Sequence, residues 1–288
     1  MAIWNLGSIN VDQVYAVPHI PGPGETLAST GRKVFLGGKG ANMSVAAARA
    51  GAHVCHIGAV GSDGAWVVTR LMEYGVDTRH ISTVDSDTAL AIIAVAADGE
   101  NTIILHPGAN HAIMADAIGT ALSEAQTGDW FVCQNETNMQ REAAYMAKKM
   151  GLRVAYAAAP FSAQSVEAVL PLLDFLILNQ VEAAQLEKAT GMAPNALPVD
   201  DVIVTLGAEG AKWFGKDGVQ TFEAVKVTPV DTTGAGDTFT GYVLAGLDRG
   251  MPMGQAIGQA IRAAALMVTR HGTADVIPDL SEVQAFER

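Results

Sequence analysis

Short apolar runs alternate with amphipathic stretches along nearly the whole chain, and this alternation narrows the choice of fold more than any single motif. Strand-like runs stand at 2–6, 53–61, 129–134, 152–157, 174–179 and 201–207. Helical patterns fill 41–52, 63–74, 111–126, 138–150, 162–170 and 180–190, and helices over 235–249 and 253–270 close the chain. Repeated βα units bury their strands on both faces, the signature of a mostly parallel sheet between two helical layers. The expectation is an α/β chain, a three-layer αβα sandwich forming one domain over 1–288. Ligands of such sheets lie beyond the carboxyl ends of the strands, so polar residues just after a strand carry the most information.

Three segments depart from the alternation. Residues 89–106 are two β-runs around Asp98-Gly99, and 211–224 turn in the same way at Asp217-Gly218; Asp-Gly between apolar runs is a hairpin signal. Residues 18–36 hold three Pro and three Gly before a short β-like run. That stretch reads as a flap projecting from the main sheet, with a plain surface loop as the alternative.

A hydrophobic fraction of 49% against 17% charged residues gives material for a large core. The net charge of −12 argues against nucleic acid or an anionic membrane as partner, so an anionic ligand needs a local cradle. Cys55 and Cys133 lie in apolar runs and read as buried reduced thiols of a cytoplasmic protein. The opening "MAIWNLGSIN" has no basic residue and reads as neither signal peptide nor anchor. No apolar stretch approaches the ~20 residues of a membrane span. The seven His residues lack metal-ligand spacing and read as structural.

Four clusters carry candidate chemistry. The first is "VDTTGAGDTF" at 230–239, between a strand-like run and a long helix. It fails as a dinucleotide fingerprint because Phe239 stands where the third glycine belongs. A loop opening a helix offers the N–H groups of Gly234, Ala235 and Gly236 to an anion, helped by the helix dipole. Asp237 follows in the first turn, where a carboxylate either takes a proton from an attacking hydroxyl or merely favours the helix start. The second is "GSIN" at 7–10 with Asp12, after the first strand, which suits either a polyhydroxyl ligand or a polar turn. The third, "GGKGAN" at 37–42, opens a helix with Lys39 and Asn42. A P-loop needs Gly where Lys33 stands and Ser or Thr where Gly40 stands, so that reading fails. The fourth is Asn179 with Glu182, readable as a capping box or as a metal-associated pair. Gln134 and Glu136 end a strand on the expected ligand side.

Taken together these segments resemble the ribokinase-like family of sugar and nucleoside kinases. Its two signatures are matched by "GGKGANMSVAAARAGAHVCHIGAVGSD" (37–63) and "DTTGAGDTFTGYVLAGL" (231–247), with "GSINVD", "NQVE" and "TLGAEG" in the expected order. The resemblance implies an α/β sandwich with a small β-sheet lid over about 13–36 plus part of 89–106, ATP with Mg²⁺ as donor and a sugar hydroxymethyl as acceptor. It implies Asp237 as catalytic base, Gly234, Ala235 and Gly236 as anion hole, and Asn10, Asp12, Gly38, Lys39, Asn42 and Glu136 as sugar contacts. By the same correspondence Asn179, Thr205 and Gly207 meet the nucleotide, Glu182 acts on Mg²⁺ through water, and Asp231 and Thr233 hold a monovalent cation such as K⁺. "SIN-x-D" with "GGKGAN" is most similar to the ribokinase branch, which implies D-ribose converted to ribose 5-phosphate. A kinase of fructose, deoxyribose or a nucleoside, or a sugar-binding regulator without catalysis, is the alternative. Three positions differ from the family pattern: Ala157-Ala158 replaces an Asn–Pro pair, 191–200 is short, and Val276 replaces a serine. An edge strand of the lid pairing between subunits predicts a homodimer.

Overall fold

A computed structural model describes residues 1–286, so the last two residues of the expected domain lie outside the described residues. The chain runs β1 (Ile3–Leu6), β2 (Asn10–Val17), β3 (Gly31–Gly37), α1 (Lys39–Arg49), β4 (Val54–Val60), α2 (Ala65–Glu73) and β5 (Ile81–Thr83). β6 (Ala89–Ala96), β7 (Asn101–His106), α3 (Ala115–Leu122), β8 (Trp130–Gln134), α4 (Gln140–Lys149) and β9 (Arg153–Ala157) follow. Then come α5 (Ala163–Val169), β10 (Phe175–Asn179), α6 (Gln180–Thr190), β11 (Asp201–Thr205), β12 (Ala211–Gly215) and β13 (Gly218–Phe222). α7 (Ala235–Asp248), α8 (Met253–Met267) and α9 (Leu280–Ala285) complete it.

The large sheet has the order β13-β12-β11-β10-β9-β8-β1-β4-β5. It is parallel from β5 to β11 and closes with the antiparallel pair β12 and β13. Its interior strands are buried on both faces, and the period of two sends alternate residues to two separate cores. Ile3, Val54, Val132, Phe175 and Ile203 join α1, α7 and α8 on one face. Trp4, Leu6, Ile57, Phe131, Leu176 and Val202 join residues of α3 to α6 on the other. The result is the expected three-layer sandwich. On the first face α7 packs close to α1: a Cβ on Gly241 would sit 2.6 Å from the Cβ of Ala46. That approach matters because α1 and α7 each carry polar residues at their N-termini.

A second sheet, of order β3-β2-β6-β7, stands apart from the first. β2 pairs antiparallel with β3 and parallel with β6, and β6 with β7 forms the hairpin expected at Asp98-Gly99. Its boundaries differ from the sequence reading. The strands begin at Asn10 and include the whole 89–106 hairpin, while residues 18–30 form no strand. The Pro and Gly there remove donors and weaken strand propensity, so the flap is a loop joining β2 to β3. Elsewhere the helix expected over 111–126 is only Ala115–Leu122, because Gly108–His111 forms a 3₁₀ turn and Met114 is extended. β5 and α9 are too short, at three and six residues, for a periodicity to reveal them. The short 191–200 stretch holds a single 3₁₀ turn, Pro194–Ala196.

Candidate active site

The two sheets meet where β1 hands over to β2 and β3 to α1, and the GSIN and GGKGAN segments face each other there. Asn10, Asp12, Asn42 and Asp237 are all buried at this junction. Asp12 lies directly over Gly37, where a Cβ would fall 2.0 Å from its carboxylate. Asn42 Nδ2 donates to Asp237 Oδ2 at 2.9 Å, joining the N-terminal turn of α1 to that of α7. Ser8 Oγ donates to Glu136 Oε2 at 2.5 Å, and the Lys39 amide, just after the Gly38 cap of α1, donates to the same oxygen at 3.2 Å. Asn10, Asp12, Gly38, Lys39, Asn42, Glu136 and Asp237, drawn from segments more than 200 positions apart, thus converge on one site.

Its electrostatics follow from packing acids around one cation. Burial pushes the Asp12 carboxyl up to about 7, with Glu136 and Asp237 adding repulsion and Lys39 opposing. Burial likewise pushes Asp237 up to about 6, against the pull of Lys39 and the Asn42 hydrogen bond. Lys39 is held above its ordinary value, first by Asp237 and then by Glu136, Glu182 and Asp12, with burial opposing. A carboxylate that stays ionised at pH 7 but lies near its own pKa is matched to accepting a proton there.

Asp237 sits in the first turn of α7, whose cap is Gly234 in the left-handed region at φ 79°. No side chain caps this end, so its first-turn N–H groups remain open to an anion. The exception is Ala235, whose amide turns back to Thr232 O at 3.3 Å. The expectation that all three amides of 234–236 are free is therefore corrected: the tight turn that raises Gly234 into position consumes that of Ala235.

On the other side of this turn lies a cleft of about 630 Å³. Thr205, Gly207, Thr232, Ala235 and Gly236 line it together with the apolar Val225, Phe239, Ile261, Ala264 and Val268. An apolar slot ending at an uncapped helix N-terminus suits a flat base with a phosphate chain. Asn179 and Glu182 form both halves of the capping box, Asn179 N to Glu182 Oε2 at 2.7 Å and Glu182 N to Asn179 Oδ1 at 2.8 Å. Burial raises the Glu182 carboxyl, while the Asn179 N–H and Lys39 pull the other way, so this acid also feels the central cation. Asp231 and Thr233 stay outside the acid cluster. The Asp231 carboxylate accepts from Thr233 N at 2.9 Å and Gly272 N at 3.4 Å, tying two loops together. Ala157 and Ala158 are buried beside the strand ends.

Sequence reasoning missed a supporting layer. Gln134, expected on the ligand side, is fully buried and donates to Asn5 Oδ1 at 2.8 Å. Asn5 in turn donates to Gly40 O and Ser44 Oγ, both at 2.8 Å, and Ser44 meets His56 Nδ1 at 2.8 Å. His56 is fully buried, and that burial depresses its pKa to about 4. Its Nε2 meets Gly7 O at 3.1 Å. This polar row across β4, β1 and β8 holds the GSIN and GGKGAN backbones in place. The signal in the sequence was a polar residue inside each apolar run. Asn110, buried in the 3₁₀ turn Gly108–His111, was missed as well. Far from the junction, His53, Cys55 and Asp77 bring three donor atoms within 4.8 Å. Arg79, however, already binds both Asp77 oxygens, at 2.7–3.1 Å, and burial with Asp77 pushes the Cys55 thiol up to about 12. Both thiols are free and buried, as expected.

Known proteins are similar to this chain over almost its entire length. A ribokinase of Haemophilus influenzae is 36% identical over 296 residues, covering 98% of this chain and 96% of that protein. The crystal structure of a Thermotoga maritima ribokinase superposes with a TM-score of 0.90 at 31% identity, covering 99% of each chain. An Arabidopsis thaliana ribokinase complexed with ribose and ATP superposes with a TM-score of 0.88 at 25% identity, over 99% of this chain and 98% of that one. The model of the pfkB family carbohydrate kinases matches residues 3–280. With the fold, the uncapped α7 turn and the acid cluster beside it, these likenesses show that the chain belongs to the pfkB family of carbohydrate kinases.

Proposed function

We propose that this chain phosphorylates the primary hydroxyl of D-ribose, with ATP as donor. The observation that carries the reading is the shared first turn of α7: Gly236 lines the cleft while Asp237, the next residue, is buried in the acid cluster. A phosphoryl group at the turn and a hydroxymethyl at Asp237 are thereby brought into line. Asp237 takes the hydroxyl proton as the oxygen attacks the γ-phosphorus, and the bond from that phosphorus to the β–γ bridging oxygen breaks, releasing ADP. The open amides of α7 receive the charge that develops on the phosphoryl oxygens. Asn10, Asp12, Gly38, Lys39, Asn42 and Glu136 hold the sugar. Asn42 Oδ1 is buried with no protein partner, which leaves it to accept from a sugar hydroxyl. The small sheet acts as a lid that excludes water from the transfer.

Mg²⁺ fits the residues present. Only one oxygen of Glu182 is engaged in the capping box, and Mg²⁺ commonly takes one carboxylate, several waters and the substrate phosphates. Glu182 would hold it through water, near Asn179, and the ion would supply neutralisation of the phosphate charge. A monovalent cation beside Asp231 and Thr233 would draw on the Asp231 carboxylate and the Thr233 hydroxyl, since Val276 brings no side-chain oxygen; equal rates in K⁺ and in a bulky organic cation such as tetramethylammonium would remove it from the scheme. The β7 edge exposes Ile103, Ile104 and Leu105, at 55%, 65% and 48%, and we assign that edge to a homodimer contact. Among the described residues no helix is long and apolar enough to cross a membrane, and use of ATP with two free thiols fits the cytoplasm.

ADP release measured with ribose, deoxyribose, fructose, nucleosides and no sugar tests the reading. Ribose is expected to give the highest kcat/KM. A higher value for another acceptor would reassign the substrate, and no sugar-dependent release at all would favour a regulator.

A further inference from the structure

Asn110 lies in the 3₁₀ turn Gly108–His111 directly after β7, belongs to neither glycine signature, and is 2% exposed. Its side chain spans the gap to the start of β2. Ile9 N donates to Asn110 Oδ1 at 3.0 Å, and Asn110 Nδ2 donates to Asn10 Oδ1 at 2.8 Å. These two bonds fix the orientation of both amides. A backbone N–H can only donate, so the Asn110 atom facing Ile9 is the oxygen and the other is the NH₂. That NH₂ must meet an acceptor, so Asn10 turns its oxygen toward Asn110 and keeps its own NH₂ for the sugar site. The turn itself is anchored, with Ala109 N bonded to Asp87 O at 2.9 Å and Asn138 N to Asn110 O at 3.2 Å. It therefore holds its side chain still relative to both stems of the small sheet.

We infer that Asn110 is a positioning residue for sugar recognition: it locks Asn10 as a hydrogen-bond donor beside the acceptor Asp12, so that the pair matches two neighbouring hydroxyls in one orientation. The inference rests on the reading that Asn10 contacts the sugar. Breaking the lock leaves Asn10 free to rotate its amide, which weakens sugar binding while leaving the base and the nucleotide cleft untouched.

The test is a double-mutant cycle on the full chain with ribose and ATP. Asn110→Asp keeps the shape and the acceptor for Ile9 N but loses the donor to Asn10. On the wild-type background it is expected to raise the ribose KM about ten-fold, with ATP KM and kcat changed less than about two-fold. On an Asn10→Ala background the same change is expected to add less than about two-fold, because the side chain it orients is gone. Asn110→Ala carries the same expectation and serves if the carboxylate prevents folding. Asn138→Ala, which removes the adjacent bonds to Ile113 N and O at 3.3 and 2.9 Å, is the control: it lowers Tm without moving the ribose KM. An equal rise in KM on both backgrounds, or ATP KM rising together with ribose KM, would overturn the inference. If Asn10→Ala itself leaves the ribose KM unchanged, the sugar-contact reading falls as well. A rise with Asn10→Ala but none with Asn110→Asp removes only the role of Asn110.

Discussion

Replacing Asn42 with Ala should move the pH dependence of turnover upward without abolishing it. The Asn42 amide donates to Asp237 at 2.9 Å and is one of two influences holding that buried carboxyl down near 6, the larger being Lys39. A hydrogen bond to a charged group contributes about 1.5–3 kcal/mol, and one pKa unit is about 1.4 kcal/mol. Removing the bond therefore lifts the base by about one to two units, to about 7–8. The ionised fraction at pH 7 then falls from about 0.9 to between about 0.5 and 0.1. The sign is fixed: the bond favours the charged form, so its loss favours the protonated form, which cannot accept the hydroxyl proton. The assay is kcat from coupled ADP release at saturating ribose and ATP between pH 5 and 9, since kcat reports the groups of the bound complex. Asn42→Ala is expected to be about two- to ten-fold slow at pH 7 and to recover most of its rate at pH 9. A profile lowered equally at every pH, with its midpoint unmoved, would refute the idea that Asn42 tunes Asp237.

Other consequences follow from the same geometry. The folded-state pKa of Asp12 is raised to about 7 from an ordinary 3.8, so stability is lost as pH climbs from about 4 through about 7, at most about 4 kcal/mol. Asp12→Asn should therefore raise Tm at pH 8, leave it unchanged near pH 4, and weaken ribose binding; a lower Tm at pH 8 would contradict the burial argument. Glu182→Gln preserves the capping box, because Gln serves there as well as Glu, yet should raise the Mg²⁺ concentration for half-maximal rate several-fold. An unaltered Mg²⁺ dependence would take Glu182 out of metal binding. Ile104→Lys on the exposed β7 edge should yield monomers by light scattering where the wild type is dimeric, and a monomeric wild type would remove the dimer contact.

The parallel part of the large sheet was legible because β1, β4, β8, β9, β10 and β11 are short, mostly apolar and mostly buried runs separated by helical stretches. The Asp98-Gly99 and Asp217-Gly218 turns announced both hairpins. The small sheet was placed only approximately, because β2 begins at Asn10 inside the polar GSIN segment, where no apolar period marks a strand. Site residues carried by glycine motifs could be picked out, since glycine pairs before helices are costly without a reason. What could not be read is the pairing between segments: that Asn42 reaches Asp237, that Ser8 and the Lys39 amide share Glu136, and that Asn110 meets Asn10. Those contacts depend on how closely α7 lies on α1 and where the β7 stem returns, and both are set by tertiary packing. The Ala235 amide was misjudged for the same reason, because whether a turn closes on itself is decided by its torsion angles rather than by its composition.

Asp237→Asn bears on the proposed chemistry with the fewest intermediate steps. The substitution keeps size and hydrogen-bonding reach but removes the proton acceptor. Ribose and a non-hydrolysable ATP analogue titrated by calorimetry should bind within a few-fold of wild type, while turnover falls by about 10²–10⁴ at every pH. Turnover within a few-fold of wild type, with both ligands still bound, would show that the hydroxyl proton goes elsewhere and that the buried acid at the head of α7 is not the base.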